Sequence, residues 1–214
     1  MTTPATPPAT PDESPGLFRQ LTRWPGVLVL VFIAAILLLI LFLSLRLYAP
    51  VSNFKVSSAA MAPTLVSGDV VLVKGPRACL GATPEVGDVV LVRFPPQRTD
   101  YLRRVVAGAG DRVELRGGRL WLNDQPVRAD KGAGQIVREV LPGGQAYDTL
   151  DAGASRLDVM APVTLKPGQW FLLGDNRDNA LDSRIRGPVT RLQICGVVTS
   201  ILSSSDSSHV GKRP

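Results

Sequence analysis

The sequence predicts a mainly β protein: an N-terminal single transmembrane helix followed by a compact β-sandwich or barrel-like domain. Three observations carry that expectation. An uncharged run of Val, Leu, Ile, Phe and Ala extends from Val27 to Leu45. Beyond Tyr48, short Val- and Leu-rich runs alternate with Gly, Pro and Asp. No stretch of that second part repeats its apolar residues at helical spacing.

Residues 1–26 read as a disordered Pro-rich tail, of which 1–16 are Thr-, Pro- and Ala-rich with little to bury. The transmembrane helix is assigned to 27–46. As a helix, its uncharged run would extend about 28 Å, close to the hydrocarbon thickness of a bilayer. A secretory signal has a shorter apolar stretch and a small-residue cleavage site, so the segment reads as a retained anchor in a cell membrane. Arg19 and Arg23 precede the span, and Arg46 and Lys55 follow it, so charge does not set the orientation.

The β domain is assigned to 50–202. Val70–Lys74 and Val89–Phe94 read as strands. Arg112–Arg116 and Arg119–Leu122 read as a hairpin, because Val113 and Leu115 alternate with charged residues and Gly117-Gly118 suits a tight turn. Asn123-Asp124 is another turn signal. Residues 142–156 read as an irregular insertion. Trp170–Leu173 and Ile194–Ile201 read as further strands. Residues 203–214 are Ser-rich and basic and read as a flexible tail.

The 214 residues carry 24 Lys and Arg against 18 Asp and Glu, a formal net charge of +6. Such a balance suits anionic lipid headgroups or an acidic partner. No helix-turn-helix, zinc-finger or aromatic-interleaved basic run is present, which argues against nucleic acid. Cys79 and Cys195 have neither metal nor redox-pair spacing. They are compatible with one disulfide outside the membrane, but the reading as two small buried apolar residues is favoured. The single histidine, His209, lies in the polar tail, so neither a zinc site nor a Ser-His-Asp triad is expected. No cofactor is implied, and a hydrolase built on this chain would need another base.

Three segments are similar, in order and spacing, to the motifs of type I signal peptidase (leader peptidase). The first is Ser58-Ala59-Ala60-Met61-Ala62-Pro63-Thr64-Leu65, followed by Gly68-Asp69. The second is Tyr101-Leu102-Arg103-Arg104-Val105-Val106 with Gly110-Asp111-Arg112-Val113. The third runs from Leu173-Gly174-Asp175-Asn176-Arg177-Asp178-Asn179 through Ala180-Leu181-Asp182-Ser183-Arg184 to Gly187. The resemblance covers roughly residues 27 to 200 and leaves out the two tails and the 142–156 insertion.

The resemblance implies a serine endopeptidase fold that removes signal peptides at the outer membrane face. The N-terminus would then be cytoplasmic and the β domain extracytoplasmic. It further implies a Ser nucleophile and a neutral Lys base. A Ser hydroxyl needs a base to take its proton, and a Lys serves only when burial lowers its pKa. Here the pattern breaks. The nucleophile position holds Ala60, the base position holds Arg103, and the position that orients the base holds Ala180. Arg keeps its proton in proteins. The resemblance assigns Ser58 and the Ala60 N–H to an oxyanion hole, and Met61 and Pro63 to the cleft that receives an extended peptide. Arg104, Asp175, Asp182 and Arg184 read as structural support, and Arg177 and Arg186 as solvated. Ser57 or Ser58 acting with Lys55 or Lys74 is a poor substitute, because a Ser two residues away points elsewhere.

Three readings follow. The chain is a pseudo-enzyme that binds signal peptides or exported preproteins, with an active paralogue beside it. Or it is a signal peptidase altered to trap substrate, or a structural membrane protein that binds no peptide.

Overall fold

The computed structural model describes residues 24–47, 51–75, 79 and 82–214. The expected N-terminal tail lies, up to residue 23, outside the described residues. The chain divides into two compact units, Met1–Arg46 and Leu47–Pro214.

In the first unit, helix α1 spans Trp24–Leu47. Pro25 sits in its first turn, where a missing N–H costs nothing. Gly26–Leu45 is long and apolar enough to cross a membrane. From Val27 to Leu45 its Val, Leu, Ile and Phe side chains are exposed.

The second unit is built on a seven-stranded antiparallel sheet. In spatial order its strands are β1 (Val51–Lys55), β2 (Val70–Lys74), β14 (Ile194–Ser203), β3 (Val89–Arg93), β4 (Asp100–Ala107), β12 (Gln169–Leu173) and β13 (Val189–Thr190). A four-stranded sheet orders β11 (Met160–Thr164), β5 (Arg112–Arg116), β6 (Arg119–Leu122) and β7 (Gln125–Pro126). A three-stranded sheet orders β10 (Ala146–Leu150), β9 (Ile136–Val140) and β8 (Arg128–Lys131). A short α-helix among the described residues, α2, is Ser183–Arg186.

Strand chemistry explains the layering. Along β3, Val89 and Leu91 join one core with Met61, Leu65, Val71, Val73 and Leu102. Val90 and Val92 join another, with Phe94, Val105, Leu172 and Ile194. Successive side chains point to opposite faces, so a continuous apolar run marks a strand covered on both sides. Each such side chain contributes about 1.5–3 kcal/mol on burial. A third core gathers Val106, Val113, Leu115, Leu120, Leu122 and Phe171 beneath the β5–β6 hairpin. At its turn Gly117 and Gly118 have φ of 57° and 78°, the left-handed pair that a two-residue hairpin with right-handed strand twist requires.

Three sequence expectations change. The irregular insertion at 142–156 contains β10, which pairs residue for residue with β9 from Ala146↔Val140 to Leu150↔Ile136. The tail at 203–214 folds back: Ile201 N–H donates to Lys212 O at 3.0 Å and Gly211 N–H to Ile201 O at 2.8 Å. Asp206 caps the 3-10 turn Ser207–His209 between those contacts, and Arg213 pairs with Asp88. Cys79 and Cys195 form a disulfide, closing a sequence separation of 116. The buried-apolar reading fails because β14 brings Cys195 to the segment after β2.

Candidate functional site

Between β1 and β2 the chain makes a closed turn. Val56 N–H donates to Asp69 O at 2.8 Å and Gly68 N–H returns to Val56 O at 2.9 Å. Leu65 N–H donates to Met61 O at 2.9 Å. Both of those side chains are buried, Met61 at 1% exposure, so the turn is clamped to the core. Met61 was expected to line a peptide cleft. Its side chain packs in the core beside Leu65 and Val71.

This clamp holds Ala60 buried and Ser58 exposed on adjoining turn positions. Ala60 O accepts from Asn176 N at 3.1 Å, and Ala59 O accepts from Asn176 Nδ2 at 3.1 Å. The Ala60 N–H and the Ser58 hydroxyl have no hydrogen-bond partner among the described residues. A Cβ added at Gly174 would fall 2.3 Å from Ala180 Cβ and 2.7 Å from Ala60 O. Gly174 therefore brings the Ala60 and Ala180 positions against one another, a close approach that only a residue without a side chain allows.

Arg103 completes the group from β4. Its Nε donates to Leu181 O at 2.9 Å, and Nη1 donates to Leu102 O. Its guanidinium carbon lies 5.4 Å from the centre of the Tyr101 ring. It is 2% exposed and makes no ion pair among the described residues, the Asp182 charge acting only from a distance. Burial holds its pKa below the ordinary Arg value, with Asp182 opposing that shift. A guanidinium still does not lose its proton near neutral pH.

The neighbouring Arg104 points to the other face of β4. Its Nε and Nη2 donate to the two Asp175 oxygens at 2.9 and 2.7 Å, and Nη1 donates to Gly87 O at 2.8 Å. Thr64 Oγ1 donates to Asp175 Oδ2 at 2.6 Å. Burial opposes the Arg104 charge, and Asp175 outweighs burial, so its pKa rises. Asp182 accepts from Gly174 N at 3.0 Å and holds Arg184 through both carboxylate oxygens. Arg184 in turn donates to Arg177 O at 2.7 Å. Pro63, joined to Ala62 by a cis peptide, lines a cavity of about 720 Å³ with Thr64, Arg104 and Tyr147. That cavity lies on the Arg104 side; Ser58, Ala60, Arg103 and Ala180 do not line it.

Arg177 was expected to be solvated. It is buried, because Glu139 on β9 meets it at 2.5 Å and Tyr147 on β10 donates to that same carboxylate at 2.6 Å. Arg186 is exposed. Cys79, Asp100 and Cys195 cluster closely, but the two sulfurs are bonded to each other and a disulfide offers no thiolate to a metal.

The family model for signal peptidase, peptidase S26, matches residues 27–203. The chain belongs to that family. Signal peptidase I of Bacillus caldolyticus is 30% identical over 176 residues, 82% of this chain and 87% of that relative. Signal peptidase I of Pseudomonas aeruginosa is 31% identical over 156 residues, 63% of this chain and 55% of that relative. The thylakoidal processing peptidase 1 of Arabidopsis thaliana is 32% identical over 152 residues, 66% of this chain. The chain spans 55% of the Pseudomonas relative's length and 38% of the Arabidopsis one's. A solved signal peptidase I from Enterococcus faecalis has 25% identity, with 55% of this chain and 98% of that one covered at a TM-score of 0.37.

Within this signal peptidase family chain, sequence reasoning passed over the parts that join the motifs. Thr64 bridges the first segment to the third, and Asn176 and Gly174 fix the carbonyl and position of Ala60. Glu139 on β9 and Tyr147, the latter from the segment read as an insertion, anchor Arg177. The only advance signal was that Gly174, Asp175 and Asn176 stand side by side in the third motif.

Proposed function

We propose that this chain is a membrane-anchored signal peptidase homologue that binds the signal peptides of exported proteins without cutting them. The observation that carries the reading is the chemistry at the meeting point of the three motifs. A methyl group stands at Ala60, and the position expected to hold the base carries a guanidinium, Arg103, tied to the Leu181 and Leu102 carbonyls. Neither group attacks a carbonyl, and neither accepts a proton. Ala180 offers no hydroxyl to orient a base. In a characterised Ser protease, loss of the nucleophile or the base costs about a millionfold in kcat.

Peptide binding has separate support. β4 pairs with β3 along Asp100–Arg104, whereas β12 reaches only as far as Leu173↔Arg104. The outer edge of Asp100–Arg103 has no strand partner among the described residues, and an extended peptide adds to such an edge through main-chain hydrogen bonds. The domain boundaries we propose are an anchor at 27–46 and a β domain that begins at 50 and, with its tail folded back, includes 203–214. In this reading the β domain is extracytoplasmic, the N-terminus cytoplasmic and α1 within the bilayer; a disulfide, which persists in oxidising compartments, supports it. An active paralogue would then supply the cleavage that this chain lacks.

The test uses the full chain in detergent with an exported preprotein. The expected result is saturable binding with no cleavage above the blank. A version carrying Ala60→Ser with Arg103→Lys reports whether the surrounding pocket is otherwise a protease site. Cleavage by the unaltered chain, or failure of it to bind any signal peptide, overturns the reading.

A further inference from the structure

We infer that the centre formed by Ser58, Ala60 and Arg103 is a receptor for a peptide C-terminal carboxylate, so that a cleaved peptide is preferred over an intact preprotein. The inference rests on the peptide-binding reading above and sharpens its ligand class.

Three donors without partners belong to the motif positions that Gly174 and Leu181 link. The Ala60 N–H and the Ser58 hydroxyl make no hydrogen bond among the described residues. Arg103 commits Nε and Nη1 to carbonyls and leaves Nη2 without a hydrogen bond. Unlike Nε and Nη1 of Arg177, which are enclosed without a partner, Nη2 of Arg103 reaches solvent. The guanidinium is held in place by the Leu181 and Leu102 carbonyls and by the Tyr101 ring. It is a desolvated cation with a spare N–H and no carboxylate of its own. An anion is the partner such a group selects, and a carboxylate matches a guanidinium edge best.

The route by which a ligand arrives selects a peptide terminus over a free anion. The open edge of β4 leads along Asp100–Arg103 and ends at the Arg103 site. A peptide lying on that edge would bring its last carbonyl carbon to Ala60. In an intact preprotein that carbon is a neutral amide, which offers one oxygen and no charge. After hydrolysis of the peptide bond it is a carboxylate, with one oxygen for the Ser58 and Ala60 donors and one for Arg103. The methyl of Ala60 leaves room for the second oxygen where a hydroxyl would stand. The reaction that supplies this ligand is therefore an endoproteolytic hydrolysis performed by another protein.

The experiment compares one signal-peptide sequence in three forms on the full, detergent-solubilised chain: ending in a free carboxylate, ending in a carboxamide, and extended beyond the cleavage point. Binding is measured at neutral pH, where the terminal carboxyl is ionised. The free acid should bind about tenfold tighter or more than the other two, the worth of a charge-assisted hydrogen bond at a desolvated site. Arg103→Met should abolish that preference, and an unfolding midpoint in urea close to that of the unaltered chain reports that the variant is folded. Equal binding of all three forms by the unaltered chain overturns the carboxylate receptor and leaves the peptide-binding reading standing. Binding of none of them overturns both.

Discussion

Arg103 and Arg104 are adjacent on one strand, both nearly inaccessible to water, yet they have been put to opposite uses. Arg104 meets both oxygens of Asp175, with Thr64 and Gly87 completing its surroundings. Arg103, on the other face, meets two carbonyls and a ring but no carboxylate. A buried charge that is paired and fully hydrogen-bonded serves as a structural fastener. A buried charge without a counter-charge is costly to keep, and its retention points to a ligand that supplies the missing charge. Pairing, rather than burial, separates the scaffold from the site.

The largest effect that would sharpen this contrast lies on the Arg104 side. Asp175→Ala leaves Arg104 buried without its carboxylate, and breaking such a pair costs about 3–5 kcal/mol. Urea unfolding followed by tryptophan fluorescence should show the loss. A change under about 1 kcal/mol would mean that the Arg104 pair is no fastener, and the contrast with Arg103 would collapse.

Gly174→Ala comes next. Its new Cβ would meet Ala180 Cβ and Ala60 O at 2.3 and 2.7 Å, and overpacking of this kind costs about 1–3 kcal/mol. Adding Ala180→Gly removes the first of those contacts and should recover part of the loss. Additive losses would show that Gly174 does not hold the two positions together.

How much of this was legible in advance follows the range of the interactions. Val70–Lys74 and the β5–β6 hairpin were readable, because period-two alternation and Gly117-Gly118 are local signals. Strand β10 was not, because it lies in a small satellite sheet and reads Ala-Tyr-Asp-Thr-Leu with only Tyr147 and Thr149 buried. Arg177 resembled a surface charge because its partner Glu139 is 38 residues away. Thr64 and Asp175 are 111 residues apart, and the cysteines 116. The motif positions were visible as residue types, but which of two adjacent arginines finds a carboxylate depends on strand facing and on a loop seventy residues later. No local pattern encodes that.

The smallest stability effect belongs to Arg103 itself. Arg103→Met removes a desolvated cation and fills most of its volume with apolar atoms. Relief of the desolvation cost acts in favour of the folded state. Two carbonyls, of Leu102 and Leu181, lose a donor, which acts against it. Replacing a buried charge by a hydrophobe of similar size is often neutral or stabilising, so the net change should stay within about 1 kcal/mol in either direction. The same unfolding experiment reads it, and the contrast is sharpest when Asp175→Ala and Arg103→Met are measured together. If Arg103→Met destabilises the fold as much as Asp175→Ala does, Arg103 is a second fastener rather than a group held in reserve. If stability is unmoved while the free-acid peptide loses its advantage, two neighbouring arginines have been divided between holding the fold and reading a ligand.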